Sequence, residues 1–315
     1  MATSTSTSAR TAPRPTITAS DEELERIRAS YKRKNSTNVT SIIGRVAFWV
    51  LVVVVVIYTL FPFYWAIVSS LTPTNDLYVT PVRFWPQSLT FDHYRDVFKN
   101  GTFVRALINS TIVSFGVVIL ALFFGIIGAY ALGRLKFRGK TIILYLILSM
   151  TMFPGVAILG SLFQLMKDLR TFNTLQGLII VYLTFTLPFT VWVLANFFRA
   201  MPDELEQAAL VDGATPIRAL REILLPLAVP GIVTTGLLAF ISAWSEFLFA
   251  RSFTIDDRAK TVQVAIAGFT GNQQFEQPFA IKMAAAVVVT LPLLVGVLLV
   301  QRRIIAGLTA GAIKG

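Results

Sequence analysis

The sequence predicts an all-α integral membrane protein with six transmembrane helices, and three observations carry that expectation. Six long stretches are almost purely apolar, basic residues collect in alternate loops between them, and one charged, helix-prone segment separates the fourth stretch from the fifth. The stretches cover residues 46–70, 107–132, 141–165, 178–198, 227–250 and 283–300. At about 1.5 Å per residue each is long enough to span a hydrocarbon core of roughly 30 Å. Within lipid only a helix satisfies its own backbone groups, so all six are expected to be helical. Buried helices of a large soluble core would need longer polar faces than these segments carry.

The formal charge of +11 is distributed as a topology signal. Lys32, Arg33, Lys34 and Arg45 precede the first stretch, and Arg134, Lys136, Arg138 and Lys140 crowd the short loop after the second. Arg199, Arg218 and Arg221 lie between the fourth and fifth, and Arg302 and Arg303 follow the sixth. The opposite loops spread Arg83, Arg95, Lys99, Arg105, Lys167, Arg170, Arg251, Arg258 and Lys260 over many more residues. The positive-inside rule therefore puts both termini and the 133–140 and 199–226 loops in the cytoplasm. A nucleic-acid footprint is not expected. The chain has no cysteine, which excludes disulfides, thiolate metal sites and cysteine nucleophiles. His93 is the only histidine, so clustered histidine ligation is excluded too, and a solvated or packed loop position is expected for it.

In chain order, residues 1–19 are rich in Ser, Thr, Ala and Pro without hydrophobic periodicity, and disorder is expected there. They lack the apolar core of a cleavable signal peptide, so the first apolar helix is expected to serve as a signal anchor. Ser20-Asp-Glu-Glu23 resembles a capping box and predicts a short helix to about Lys34. The organisation expected is a cytoplasmic N-terminal tail over 1–40, a membrane domain over 41–306 and a cytoplasmic tail over 307–315. The loop 72–105 carries Phe84, Trp85 and Tyr94, residues suited to the headgroup belt. Pro62, Pro154, Pro188, Pro230 and Pro292 fall within or at the ends of the spans and permit bends. Asn109, Ser110 and Thr111 are expected to form hydrogen bonds between helices.

The segment 202–226 is the most informative. Pro202 suits the first turn of a helix, and Asp203, Glu204 and Glu206 stand near the positive end of its dipole. Ala208 and Ala209 offer a small surface that another backbone can approach, and Gly213 is placed to end the helix in a left-handed conformation. A second short helix is expected from Pro216 to Glu222, after which Ile223, Leu225 and Pro226 return the chain to the membrane. An interfacial hairpin with no partner would explain the charges. It would not explain the Ala-Ala step, the glycine and the Ile-x-Leu-Pro exit at these spacings together.

This pattern resembles the EAA motif of permease subunits of binding-protein-dependent ABC importers: Glu-Ala-Ala, three residues, Gly, nine residues, Ile-x-Leu-Pro. Ala208, Ala209, Gly213, Ile223, Leu225 and Pro226 match, with Asp212 before the glycine. Gln207 stands where the motif has glutamate, with Glu206 one residue earlier, which removes one charge from the presumed dock. Trp244-Ser-Glu-Phe resembles the Trp-Asn-Glu-Phe stretch of sugar permeases, with Ser245 for Asn. The C-terminal sequence from Gln301 and the loop Phe269–Pro278 resemble those of MalG- and SugB-type subunits, including ones for maltose and trehalose.

The resemblance implies a type I ABC importer permease fold in a bacterial cytoplasmic membrane, and a non-catalytic subunit. It implies a second permease of the MalF/SugA kind, two ATPase subunits of the MalK/SugC kind that bind ATP and Mg, and an extracytoplasmic sugar-binding protein. A disaccharide, trehalose or a maltose-like α-glucoside, is the implied substrate. By the same resemblance Glu206, Gln207, Ala208, Ala209, Asp212, Gly213, Ile223, Leu225 and Pro226 form the ATPase-coupling hairpin. Gly311, Lys314 and Gly315 belong to a flexible tail that reaches the ATPases. Gly271, Asn272, Gln273, Gln274 and Phe275 would form a receptor or substrate loop, and Trp244 and Glu246 would lie on the substrate path. No cofactor or metal site is implied in this chain. Two other classes compete less well: an ion-coupled secondary transporter wants ionisable residues deep in several helices or an inverted repeat, and a membrane enzyme wants convergent catalytic groups. An ABC permease for another small solute would keep the dock without the sugar-type tail. No Gly-x4-Gly-Lys-Ser/Thr sequence occurs, so any ATP use must come from another polypeptide.

Overall fold

A computed structural model of the chain describes residues 20–36, 38–269 and 279–312. Every regular element among them is helical. In chain order they are α1 (Asp21–Ser36), α2 (Asn38–Leu71), α3 (Thr74–Leu77), α4 (Asp92–Lys99), α5 (Gly101–Gly133), α6 (Lys140–Thr151), a 3-10 turn (Gly155–Ile158), α7 (Leu159–Asp168) and α8 (Leu175–Ala200). Then follow α9 (Glu204–Val211), α10 (Pro216–Ala219), a π turn (Leu220–Leu224), α11 (Leu225–Trp244), α12 (Leu248–Phe253), α13 (Val262–Ala267) and α14 (Phe279–Ala312). The chain divides into two compact units, residues 1–62 and 63–315, with the division at Pro62 inside α2.

The first unit holds α1 and most of α2. Helix α1 is charged and exposed, close to the bounds its capping sequence predicts. In α2 the apolar residues Trp49, Leu51, Val54 and Ile57 are all exposed. A helix apolar on every side suits lipid rather than water.

The second unit is built around α5 and α8. Asn100 caps α5 by accepting a hydrogen bond from the Phe103 amide at 3.1 Å. Thr174 caps α8 in the same way, accepting from the Gly177 amide at 3.1 Å. One cluster joins α5, α7, α8 and α12 through Val113, Met166, Leu178, Val181 and Phe253. Another, at the far end, joins α5, α8 and the π turn through Leu132, Leu194, Ala195, Phe198 and Leu224. A third packs α4 and α13 onto α5, α11 and α14 through Val97, Phe103, Val262 and Ala285.

Among the described residues five helices are long and apolar enough to cross a membrane: Ser41–Leu71, Gly101–Gly133, Leu175–Ala200, Pro216–Trp244 and Phe279–Gln301. The stretch 141–165, expected as one span, is instead two helices that meet at 92°, Lys140–Thr151 and Gly155–Asp168. The corner is Met152-Phe153-Pro154. Proline lacks the donor for the next helical bond and pushes the residue before it out of the α region. Pro188, Pro230 and Pro292 lie inside continuous helices. The stretch 227–250 is not one helix either: α11 ends at Trp244 and a new helix starts at Leu248. At the C-terminal end, α14 continues through Gly307 and Gly311 to Ala312, where a flexible tail was expected; an isolated glycine costs a helix about 1 kcal/mol without ending it.

The segment between α2 and α5 is tied down by polar contacts. His93 is buried on α4 with Nε2 3.0 Å from the Thr72 carbonyl oxygen. The Ser70 and Tyr94 hydroxyls lie 2.7 Å apart. Phe84 and Trp85 are exposed, as belt residues would be.

The segment 254–261 is pinned to α5. Asn109 Nδ2 donates to the carbonyl oxygens of Lys260 at 2.9 Å and Arg258 at 3.1 Å, and Ser110 Oγ accepts from the Val262 amide at 2.8 Å. Thr111 bonds back to its own helix, at the Leu107 carbonyl. Thus Asn109 and Ser110 bond to a loop and a helix start instead of a neighbouring span. Asp257 accepts from Thr102 at 2.6 Å and from Lys260 at 2.8 Å. The hydrogen bond from Lys260, then that from Thr102, holds its carboxyl below the usual range. Asp256 is lowered likewise by its hydrogen bond from Arg258. With folded-state values depressed, both contributions are complete above about pH 4, the unfolded value, and fade as pH falls through the folded ones. Asn109→Ala removes the donor from two carbonyls and should lower stability by about 1–3 kcal/mol. Thermal unfolding in detergent checks this; an unshifted midpoint would mean the loop is held by other groups.

Candidate functional site: the 202–226 hairpin and its anchor

Helix α9 begins at Glu204, so Pro202 lies just outside the first turn, where the sequence had suggested it would lie within. Glu204 and Glu206 occupy that turn, where their charge complements the helix dipole. The helix stops as expected at Gly213, whose φ is +84°. The Gly213 amide donates to Leu210 O at 3.1 Å and the Ala214 amide to Ala209 O at 2.9 Å. This pair of bonds is a Schellman closure, which needs the left-handed residue that glycine supplies.

Thr215 then caps α10 by accepting from the Arg218 amide at 3.3 Å, with Pro216 in the first turn. The second helix does not end at Glu222. It widens into the π turn Leu220–Leu224, in which the Leu225 amide reaches Leu220 O, and continues into α11. Pro226 has no amide to donate to the Glu222 carbonyl, which accounts for a wider turn at that place. Hairpin and span are therefore one helical rod from Pro216 to Trp244 with a π turn inside it.

The anchor is Arg134, the C-cap residue of α5. Its side chain is 2% exposed, with Nε 2.8 Å from Glu206 Oε2 and one terminal nitrogen 2.8 Å from Asp203 Oδ1. The same guanidinium donates to the carbonyl oxygens of Met201 at 3.0 Å, Pro202 at 3.1 Å and Phe198 at 3.3 Å. Tyr130, one turn earlier on α5, donates from Oη to Glu206 Oε1 at 2.8 Å. Arg199, near the end of α8, donates to Leu132 O at 3.1 Å and closes the tie between the two spans. A buried charge is costly unless paired and hydrogen-bonded, and here Arg134 and Glu206 satisfy each other. Asp203 is 69% exposed and adds little beyond geometry.

The EAA-type residues divide into two sets. Glu206 and Ala209 turn inward, with Glu206 on Arg134 and Ala209 buried, and Leu224 of the exit is fully buried. Gln207, Ala208, Asp212, Gly213 and Pro226 are exposed, and Ile223 and Leu225 are half-buried. The glutamine that departs from the motif therefore changes the outer surface and leaves the internal ion pair to Glu206. Sequence reasoning missed the apolar outer residues Leu210, Val211 and Ile217; Val211 is 87% exposed. Their signal was present, as apolar residues within a charged hairpin. It also missed Tyr130 as a polar partner and counted Arg134 only as one basic residue among four.

The two expected substrate-path residues have internal partners. Trp244 is buried, stacked on Phe240 at 5.4 Å between ring centres, and its Nε1 donates to Val289 O at 3.1 Å. Glu246 caps α12, accepting from the Phe249 amide at 2.8 Å and the Ala250 amide at 3.0 Å. Trp244 also borders a groove of about 640 Å³ between α5, α11 and α14, whose walls include Phe115, Leu122, Leu237 and Val295. That groove is almost wholly apolar. Gly271, Asn272, Gln273, Gln274 and Phe275, like Lys314 and Gly315, lie outside the described residues; Gly311 is in α14.

The family described as binding-protein-dependent transport system inner membrane component matches residues 121–309, a range that includes both the anchor and the hairpin. The trehalose transport system permease protein SugB of Mycobacterium tuberculosis is 44% identical over 272 residues, covering 86% of this chain and 98% of that protein. The trehalose/maltose transport system permease protein MalG of Thermococcus litoralis is 39% identical over 265 residues, covering 84% and 94%. Among solved structures, a chain of a bacterial ABC transporter involved in the import of the acidic polysaccharide alginate superposes with a TM-score of 0.75 at 22% identity, covering 84% of this chain and 98% of that one.

Proposed function

The chain belongs to the family of binding-protein-dependent transport system inner membrane components, and we propose that it is a permease subunit of an ATP-driven importer for a disaccharide, trehalose or a maltose-like α-glucoside. The observation that carries this is the hairpin: an exposed, partly apolar knob held on the end of a membrane helix by a buried ion pair. A membrane channel needs no such knob; a pump driven by a separate motor does. The substrate class is supported by the likeness to permeases named for trehalose and maltose.

In this proposal the chain forms half of the translocation path with a second permease. Two ATPase subunits bind ATP and Mg, and an extracytoplasmic binding protein delivers the sugar. Both termini and the hairpin face the cytoplasm of a bacterial inner membrane. The surface of Gln207, Ala208, Val211 and Gly213 seats in a cleft of one ATPase. The tail with Gly311, Lys314 and Gly315 reaches the ATPases as well, and the loop 271–275 meets the binding protein. The apolar surface of α2 is available to lipid or to the second permease. Reversing a two-state equilibrium from about 1:99 to 99:1 takes about 5.5 kcal/mol of differential binding. ATP and the loaded binding protein together supply it.

The test is the complex in proteoliposomes with its binding protein. Trehalose or maltose should stimulate ATP hydrolysis and accumulate inside, and the isolated chain should hydrolyse no ATP. Hydrolysis by the pure chain, or uptake that follows an ion gradient without ATP, would contradict the proposal.

A further inference from the structure

Arg134 is more deeply used than a topology signal requires. The positive-inside preference needs charge near the membrane surface and is met by Lys136 and Arg138 of the same loop, which are exposed. Arg134 is buried at 2%, and burying a guanidinium costs several kcal/mol unless every donor finds a partner. Its partners all lie on one stretch: the Phe198, Met201 and Pro202 carbonyls at the end of α8 and the link beyond, and the Asp203 and Glu206 carboxylates of the hairpin. Tyr130 holds the second oxygen of Glu206, which fixes the carboxylate from both sides. On its other side the hairpin runs into α11 through the π turn, a local geometry frequent at functional sites. The hairpin is thus clamped toward α5 and α8 and continuous with α11.

We propose that Arg134 is a positioning residue for energy coupling, a clamp that makes the hairpin and the adjoining ends of α5 and α8 move as one body. The inference rests on the proposed coupling of the hairpin to an ATPase and deepens it. A flexible hairpin would absorb the ATPase stroke, whereas a clamped one passes it into α5 and α8. Arginine suits the task because its planar fork reaches carboxylates and carbonyls in several directions at fixed angles, which a lysine ammonium cannot match.

The test uses the assembled importer with Arg134→Lys, Glu206→Gln and Tyr130→Phe, reading sugar transported per ATP hydrolysed in purified complex. A second readout is the distance between spin labels at Leu135→Cys and Arg221→Cys, both exposed sites on a chain without other cysteine. With Arg134 present, the label distance should be the same before and after ATP trapping. In Arg134→Lys it should shift or broaden on trapping, and sugar per ATP should fall about tenfold, within the usual range of coupling effects, while hydrolysis persists. Tyr130→Phe and Glu206→Gln should fall in the same direction by less, and they carry the test if the lysine variant fails to assemble. A label distance that changes with ATP when Arg134 is present would overturn the clamp. So would variants that yield less complex but keep the native sugar-to-ATP ratio, since that is a purely structural role. Failure of the unaltered chain to bind any ATPase subunit would instead remove the proposed function, and the clamp with it.

Discussion

Gly213→Val should abolish ATP-coupled uptake while the subunit still inserts in the membrane. The glycine has φ +84°, and a Cβ built there meets no atom within 4 Å, so the penalty comes from the backbone alone. Holding a branched residue in the left-handed region costs on the order of 1–3 kcal/mol. That cost falls on the Schellman bonds from Gly213 to Leu210 and from Ala214 to Ala209, which set the angle between α9 and α10. Asparagine and aspartate tolerate this conformation better than other residues. Uptake should therefore fall least for Gly213→Asn, more for Gly213→Asp, which adds charge to the exposed surface, and most for Gly213→Val. Equal uptake by all three, at equal membrane levels, would show that the turn geometry has no part in coupling.

Gly177→Ala should be the most damaging small change in the fold. The added Cβ would sit 2.2 Å from the Thr171 carbonyl oxygen and 2.2 Å from Met166 Cε. The methionine could move, although it is buried, but the carbonyl is fixed because Thr174 Oγ1 donates to it at 2.7 Å while capping α8. Overpacking of this kind costs about 1–3 kcal/mol, and more where backbone must shift. Gly160→Ala is the control: nothing lies within 4 Å of its Cβ, and alanine is favoured over glycine in a helix by up to about 1 kcal/mol. Thermal unfolding in detergent should separate the two variants in opposite directions. Similar midpoints would mean that the contact between α7, its following loop and α8 is looser than described.

The membrane class and most of the spans were legible in the sequence, because the demand that lipid makes is compositional and needs no tertiary information. The left-handed stop at Gly213 was legible too, since its cause is local. The corner at Pro154 was not: four other prolines were flagged with it, and only neighbouring packing decides which of them breaks a helix. Glu246 looked like an ionisable group near the end of a span. Its role as a cap depends on α11 stopping at Trp244, which the apolar run through Ala250 conceals. Arg134 shows the same limit in the site. Four basic residues stand together in the loop, and a charge count treats them alike. Only the approach of the α8 end and the hairpin to α5 distinguishes the one that is buried.

The central claim, that the hairpin receives force from a separate ATPase, is tested most directly at Val211, the most exposed apolar residue of the knob. A single cysteine placed there carries a short photo-crosslinker in a transport-competent complex. The account predicts capture of the ATPase subunit, with an efficiency that changes when ATP is trapped. Capture of no ATPase subunit, in a complex that still accumulates sugar at the expense of ATP, would contradict it.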